Sequence, residues 1–272
     1  IYRKGDRVAC AHHVPCGECH YCLAGHETVC ETLRKTNLDP GGFCEYLRVP
    51  KINVDYGVLF LSNSVSFEEA TFIEPVACVL RSQRLAGLKE GKSVLVLGSG
   101  IAGLLHIHLA RAMGAKPIIS TDISGYRLRA AKRFGADMSI NAKEYSSGLL
   151  RTLNDGRLAD LVIVSTGSLS AIEQALASVE RGGTVLFFAP TEKDRRVPLN
   201  FNELFWRTEI TLTSSYAGSP LDYKAALDLI SGRKLNISNM ITHRLNLSET
   251  MTGFKVVAEA QESIKVIIYP QK

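Results

Sequence analysis

The stretch SVLVLGSGIAGLLHIHLARAMGA, residues 93–115, limits what this chain can fold into more than any other segment. Gly98, Gly100 and Gly103 have the spacing G-x-G-x-x-G, which alone is weak. Here it follows an apolar strand pattern and opens an amphipathic helix pattern. Asp122 ends the next strand pattern, nineteen residues after Gly103. Strand, loop, helix and acid together mark a dinucleotide fingerprint. Gly98 permits the tight turn, and Gly100 lets the backbone approach a pyrophosphate. The helix-opening N–H groups, Ile101 and Ala102 among them, would hold that pyrophosphate, and Gly103 lets helix and strand pack closely. The Asp122 carboxylate can accept bonds from ribose hydroxyls and would repel a 2′-phosphate, so NAD is expected over NADP. Arg127 is near enough to soften that repulsion, though its spacing places it along the following helix. The plain alternative is a glycine turn with no nucleotide.

The rest of residues 93–215 repeats the same alternation. Strand-like runs PIISTD, DMSINA, DLVIVSTG, GTVLFFAP and EITLTSS are separated by helical patterns over 126–134 and 171–179. Val, Ile and Leu runs alternating with helices predict βαβ units and a parallel sheet covered on both faces. The fold class is therefore α/β, with a Rossmann doubly wound sheet. Residues 1–76 read differently. They are rich in Gly, Pro and Cys, with short β-like runs at DRVAC and CEYLRV. Ser66 and Glu69 have capping-box spacing ahead of a helix. A second capped helix is predicted after Ser219 and Pro220, and SIKVIIYP reads as a strand.

Cys16, Cys19, Cys22 and Cys30 follow the pattern C-x2-C-x2-C-x7-C. Four thiolates can close a tetrahedral shell around zinc with no open position, which gives a structural site without chemistry. An iron–sulfur cluster is the rival. The bacterial ferredoxin run ends in a three-residue gap and Cys-Pro, and neither is present here. His12 and His13 lie just ahead of the cluster and are expected to be loop residues. His106 and His108 sit two apart on a helix and point to different faces. Seven cysteines, four of them in one short cluster, argue against a disulfide framework and for reduced, cytoplasmic chemistry. Cys10, Cys44 and Cys78 are expected as buried small hydrophobes.

A four-cysteine lobe ahead of a nucleotide fold resembles the zinc-dependent medium-chain dehydrogenase/reductase family. The stretches GDRVA, GGFCEY, EEATFIEPVAC, TDISGYRLRAAKRFGAD and ITHRLNLSE carry the likeness along nearly the whole chain. SSYAGSPLDYKAALDLISG points to the iditol/sorbitol (polyol) dehydrogenase-like branch, with threonine dehydrogenase a near relative. The resemblance implies a GroES-like catalytic domain from residues 1–76 with 219–272, and a Rossmann NAD-binding domain at 77–218. It implies hydride transfer between a secondary alcohol carbon and NAD, with a catalytic Zn2+ on the alcohol oxygen. Glu74 matches one ligand of that zinc. The Cys and the His-Glu pair that complete it are expected upstream of Ile1, so the chain is expected to be cut from a longer one and inactive alone. Thr166 and Gly167 match the loop beside the cofactor riboses, Phe188 and Ala189 match the strand end lining the nicotinamide, and Lys265 matches a residue that reaches the pyrophosphate. Ser214-Ser215-Tyr216 replaces the Phe-Arg-Tyr of animal sorbitol dehydrogenases, which changes the substrate contacts. The family also implies a homodimer or homotetramer built on the EITLTSSY edge.

Net charge is +5, with the Lys and Arg scattered and RLRAAKR the densest run, so no nucleic-acid partner is expected. No apolar stretch reaches the roughly 18 residues that span a bilayer, so no membrane partner is expected either. The expected partner is a small-molecule alcohol or polyol. The alternatives are a threonine 3-dehydrogenase-like enzyme, a non-catalytic nucleotide-binding subunit and iron–sulfur electron transfer.

Overall fold

The first segment folds around two short strands, β1 (Val8–Cys10) and β2 (Val58–Phe60), paired antiparallel with Val8 opposite Phe60. The structure is a computed structural model that describes residues 2–271. Between the strands lie the cysteine lobe, with short helices His20–Leu23 and Glu31–Lys35, and a loop that carries CEYLRV. That run does not form the expected strand. Its only ladder contact among the described residues is a single bridge, Arg48 with Asp39. A strand needs a partner along its length, and here the pairing stops after one residue. The Ser66–Glu69 capping box does form: Ser66 Oγ accepts from the Glu69 N–H at 3.1 Å, and Glu69 Oε2 accepts from the Ser66 N–H at 2.8 Å. Helix Ile73–Leu85 follows and carries Glu74 in its first turn.

The next six strands are β3 (Val94–Leu97), β4 (Ile118–Asp122), β5 (Met138–Asn141), β6 (Ala159–Val164), β7 (Val179–Phe187) and β8 (Thr211–Ser214). They form one parallel sheet in the order β5-β4-β3-β6-β7-β8. All four residues of β3 are buried, as a strand covered on both faces must be. Leu95, Leu97, Val162, Val164 and Val185 are at most 1% exposed and form the core, each contributing roughly 1.5–3 kcal/mol through burial. The strand order reverses between β3 and β6, so a crevice opens at their carboxyl ends. Helices Ile101–Ala112, Gly125–Arg133 and Leu169–Leu176 occupy the expected positions. Helix Ser147–Leu153, capped by Ser146, is an addition to the expected set.

The chain then returns through helix Pro220–Ser231 to β9 (Ile241–Asn246) and β10 (Lys265–Tyr269), which pair in parallel. Ser219 and Asp222 form the cap of that helix. Glu68 holds this return segment through Arg244, at 2.7 and 2.9 Å, and through the Tyr269 hydroxyl; Arg233 pairs with Glu69. The chain thus divides into two units, Ile1–Cys78 with Tyr216–Lys272, and Val79–Ser215. Among the described residues no helix is long and apolar enough to cross a membrane.

Candidate functional site

β3 ends at Leu97, and the chain turns at Gly98 with φ +94° into helix Ile101–Ala112. A Cβ on Gly103 would lie 1.9 Å from the Gly98 carbonyl oxygen, so only glycine allows this approach of helix to turn. A Cβ on Gly100 would meet nothing within 4 Å. The space in front of the helix therefore stays open, where the first N–H groups, including those of Ile101 and Ala102, lack intrahelical acceptors. Asp122, 7% exposed, ends β4. Its Oδ2 accepts from the Ser99 N–H at 2.8 Å and its Oδ1 from the Ser124 N–H at 2.9 Å, which fixes the carboxylate plane. Arg127 lies in the first turn of its helix, but its Nη1 reaches to 4.0 Å from Asp122 Oδ2, closer than its spacing suggested. Gly98, Gly100, Asp122 and Arg127 line a crevice of about 680 Å³ with Thr166, Lys143 and Gln174. Gly167 passes beneath the Pro190 carbonyl, whose oxygen would be 2.7 Å from an added Cβ. The Phe188 and Ala189 N–H groups both donate to the Val164 carbonyl at 3.1 Å. The Phe188 ring meets His106 edge-on, with centroids 4.6 Å apart. His106 is wholly buried, and burial pushes its pKa down to about 3. The Gln83 amide donates to its Nδ1 at 3.2 Å and to its carbonyl at 2.8 Å, an arrangement that puts the ring proton on Nε2.

The four cysteines of the lobe meet. Their sulfur atoms lie within 4.8 Å of one another, with separations of 3.9 Å for Cys16–Cys22, 3.5 Å for Cys19–Cys22 and 3.7 Å for Cys30–Cys16. A tetrahedral zinc with Zn–S of about 2.3 Å requires sulfurs about 3.8 Å apart, so the quartet fits one zinc ion. Backbone N–H groups of Glu18 and Cys19 hold the Cys16 thiol below its usual range. Burial pushes Cys30 up, but N–H groups of Cys16, Leu33 and Thr32 outweigh it and bring the thiol down to about 6. Cys22 is pushed up to about 12, first by burial and then by its sulfur neighbours. A cation at the centre would hold all four as thiolates. His12 and His13 stand outside this shell; their ring centroids lie 4.1 Å apart with the planes tilted by 44°, and His13 Nδ1 donates to the Thr36 carbonyl at 2.7 Å.

Glu74 lines a separate pocket of about 300 Å³, walled by Val8, Leu59, Phe67, Ile73 and Tyr223. The Cys78 thiol, one turn further along the helix, donates to Glu74 Oε1 at 3.2 Å. Burial, then the charge of Glu74, pushes that thiol far above its usual range. The described residues place no second and third metal ligand beside Glu74: the cysteine quartet is their only metal-ligating group of three or more. Three protein ligands are the norm for a catalytic zinc, so these residues do not by themselves build one. Lys265 Nζ lies 3.4 Å from the Thr71 carbonyl and 5.1 Å from the centre of the Phe72 ring. Burial lowers its pKa, partly offset by Glu74.

Three expectations are corrected. Cys10, Cys44 and Cys78 are only partly buried. Cys10 lines the Glu74 pocket, Cys44 donates from its loop to the Gly41 carbonyl at 3.1 Å, and Cys78 serves Glu74. Sequence reasoning also missed Tyr223, Gln83, Lys143 and Gln174. Only Tyr223 left a signal, as a polar ring on the buried face of the capped helix.

Residues 102–232 match the family of zinc-binding dehydrogenases, and residues 1–55 match the alcohol dehydrogenase GroES-like domain. Sorbitol dehydrogenase of Bacillus subtilis is 29% identical over all of this chain and 76% of its own length. A probable D-xylulose reductase A of Aspergillus clavatus is 31% identical over 98% of this chain and 74% of its own. L-threonine 3-dehydrogenase of Bacillus subtilis is 31% identical over 98% and 76%. Among solved structures, the alcohol dehydrogenase TADH of Thermus sp. ATN1 superposes with a TM-score of 0.85 at 26% identity, over 98% of this chain and 78% of its own. Two others share the fold at 24% identity and a TM-score of 0.85: an Escherichia coli CFT073 alcohol dehydrogenase complexed with NADH, and a Sinorhizobium meliloti zinc-binding dehydrogenase bound to NADP. They span 97% and 99% of this chain and 77% of their own lengths. With a glycine-loop crevice, a sulfur quartet sized for zinc and relatives of 31% identity along its length, the chain belongs to the zinc-binding dehydrogenases, the oxidoreductases of the zinc-dependent alcohol dehydrogenase family.

Proposed function

We propose that the protein oxidises a secondary alcohol carbon of a polyol, sugar alcohol or cyclitol to the ketone, with NAD as hydride acceptor. The observation that carries this reading is the Asp122 carboxylate, fixed by two backbone N–H groups at the edge of a glycine-loop crevice, in a chain whose relatives include sorbitol and xylulose enzymes. When bound, the nicotinamide supplies the electron sink for the hydride. The chain's own residues bind and orient it. Gly98, Gly100 and Gly103 with the N–H groups of Ile101 and Ala102 would take the pyrophosphate. Asp122, Thr166 and Gly167 would face the riboses, and Phe188 and Ala189 the nicotinamide end. Lys265 is assigned to the pyrophosphate by family likeness alone. Glu74 would receive the alcohol end: its Oε1 is engaged by Cys78, leaving Oε2 for a ligand. The described residues do not complete a catalytic zinc site. The quartet of Cys16, Cys19, Cys22 and Cys30 would hold a structural zinc. A homodimer or homotetramer and a cytoplasmic setting complete the proposal.

Asp122 argues for NAD over NADP. A 2′-phosphate would meet its carboxylate, a difference of roughly 1–3 kcal/mol, or about five- to 160-fold in affinity. Titrating both cofactors measures it, and Asp122→Asn should narrow the gap. Equal affinities would mean that Arg127 neutralises the acid. Turnover should be assayed on sorbitol, xylitol, an inositol and threonine, with zinc and NAD present. Turnover of threonine alone would favour the second reading, which the threonine 3-dehydrogenase relative supports. No turnover of any secondary alcohol by a protein with a complete catalytic zinc site would overturn both.

A further inference from the structure

Within the nucleotide-binding unit, two buried polar side chains are arranged around a single ring. Gln83 is 2% exposed, and its amide nitrogen donates twice to His106, at Nδ1 and at the carbonyl. His106 is wholly buried in the middle of helix Ile101–Ala112, beyond the glycine turn. Its Nε2 and the Gln83 Oε1 have no hydrogen-bond partner among the described residues. Each such atom lowers stability, so packing alone does not account for a Gln–His pair in this core. What the pair achieves is orientation. With its Nδ1 held, the His106 ring stands at 88° to the Phe188 ring, centroids 4.6 Å apart, the edge-to-face geometry that aromatic pairs favour. Phe188 is only partly buried and directly follows β7. Its N–H donates to the carbonyl of Val164, the last residue of β6, and the next two residues, Ser165 and Thr166, line the crevice. Asp122, at the end of β4, marks the adenosine side. A dinucleotide laid across the reversal of strand order therefore brings its other half to the ends of β6 and β7.

We propose that His106 is a positioning residue for the cofactor: held by Gln83, it sets the orientation of the Phe188 ring as a wall of the nicotinamide site. The proposal rests on the NAD reading above and adds to it two residues, neither of which touches the cofactor. NAD and ADP-ribose share the adenosine, the pyrophosphate and the second ribose, and differ by the nicotinamide. A residue that acts through Phe188 must change the binding of the first and not of the second.

Calorimetry of both ligands on the parent protein and on variants tests this. His106→Leu should bind NAD about three- to tenfold more weakly, the size of an edge-to-face aromatic contact. Its affinity for ADP-ribose should stay within about twofold of the parent. Phe188→Leu should show the same split. The double variant should bind NAD within about twofold of Phe188→Leu, because residues that act through one contact do not add. Gln83→Leu keeps the His106 ring but frees it, and should show a smaller loss of the same kind. It decides the matter if His106→Leu does not fold: NAD binding like the parent's would then overturn the proposal. Equal losses for NAD and ADP-ribose would make His106 a packing residue only and overturn it. So would unchanged NAD affinity in His106→Leu or in Phe188→Leu, or losses that add in full in the double variant. In each of these cases the NAD reading stands. A parent protein that binds neither ligand would overturn both.

Discussion

His106 is a titratable ring locked where water cannot reach it. Its folded pKa is about 3, against a usual value near 6.5, because burial disfavours the imidazolium. Above pH 6.5 the ring is neutral folded and unfolded, and titration adds nothing. Below it the unfolded chain takes up a proton that the folded chain refuses, so stability falls as pH drops from about 6.5 towards 3. Across the whole window the loss is on the order of a few kcal/mol. Denaturant unfolding of the parent and of His106→Leu at pH 7 and pH 5 checks this. The variant should be less stable at pH 7 but lose less on acidification. Parallel losses would show that other groups set the acid limit. Gly103 is constrained just as locally: its spacing from Gly98 spells out a close approach, so the fingerprint could be read without the fold. Tyr223 could not be read this way, because only the fold brings it to the pocket of Glu74, far away in the chain.

Elements built from local rules were the legible ones. β3 and the LVIV of β6 are runs of Val, Ile and Leu, and burial on both faces needs nothing else. The Ser66 and Ser219 caps are four-residue patterns. CEYLRV has strand composition but lacks a partner, which no local rule can supply. Helix Ser147–Leu153 was missed although Ser146 caps it and Leu150 is buried; it spans only seven residues, too few to show a period. The cysteine lobe is the element whose order depends most on a metal, since only Thr28, Cys30 and Leu33 are buried in it between residues 16 and 35. Cys30→Ser should lower bound zinc from one per chain towards none and open residues 16–35 to proteases, with NAD affinity unchanged. Metal analysis and limited proteolysis measure both. Iron in the parent protein, or full zinc retention by the variant, would reject the zinc site.

For the whole molecule, β8 is an edge that needs cover. It ends the six-stranded sheet with one side of its backbone unpaired, and Trp206 nearby is 69% exposed. Such an edge invites a second copy of itself. Light scattering at micromolar concentration should give at least a dimer, and Thr211→Lys on the exposed edge should shift it towards monomer. A monomeric parent protein would refute the assembly. The division into units has another consequence, in time. Val79–Ser215 is one continuous segment, whereas Ile1–Cys78 closes only with Tyr216–Lys272. During synthesis the early segment must therefore wait while the nucleotide-binding unit emerges, on the order of ten seconds at 5–20 residues per second. The ribosome thus finishes the unit that starts later before the unit that starts first, and the cysteine lobe, complete within fifteen residues, is the one part of the early segment that can close in the meantime.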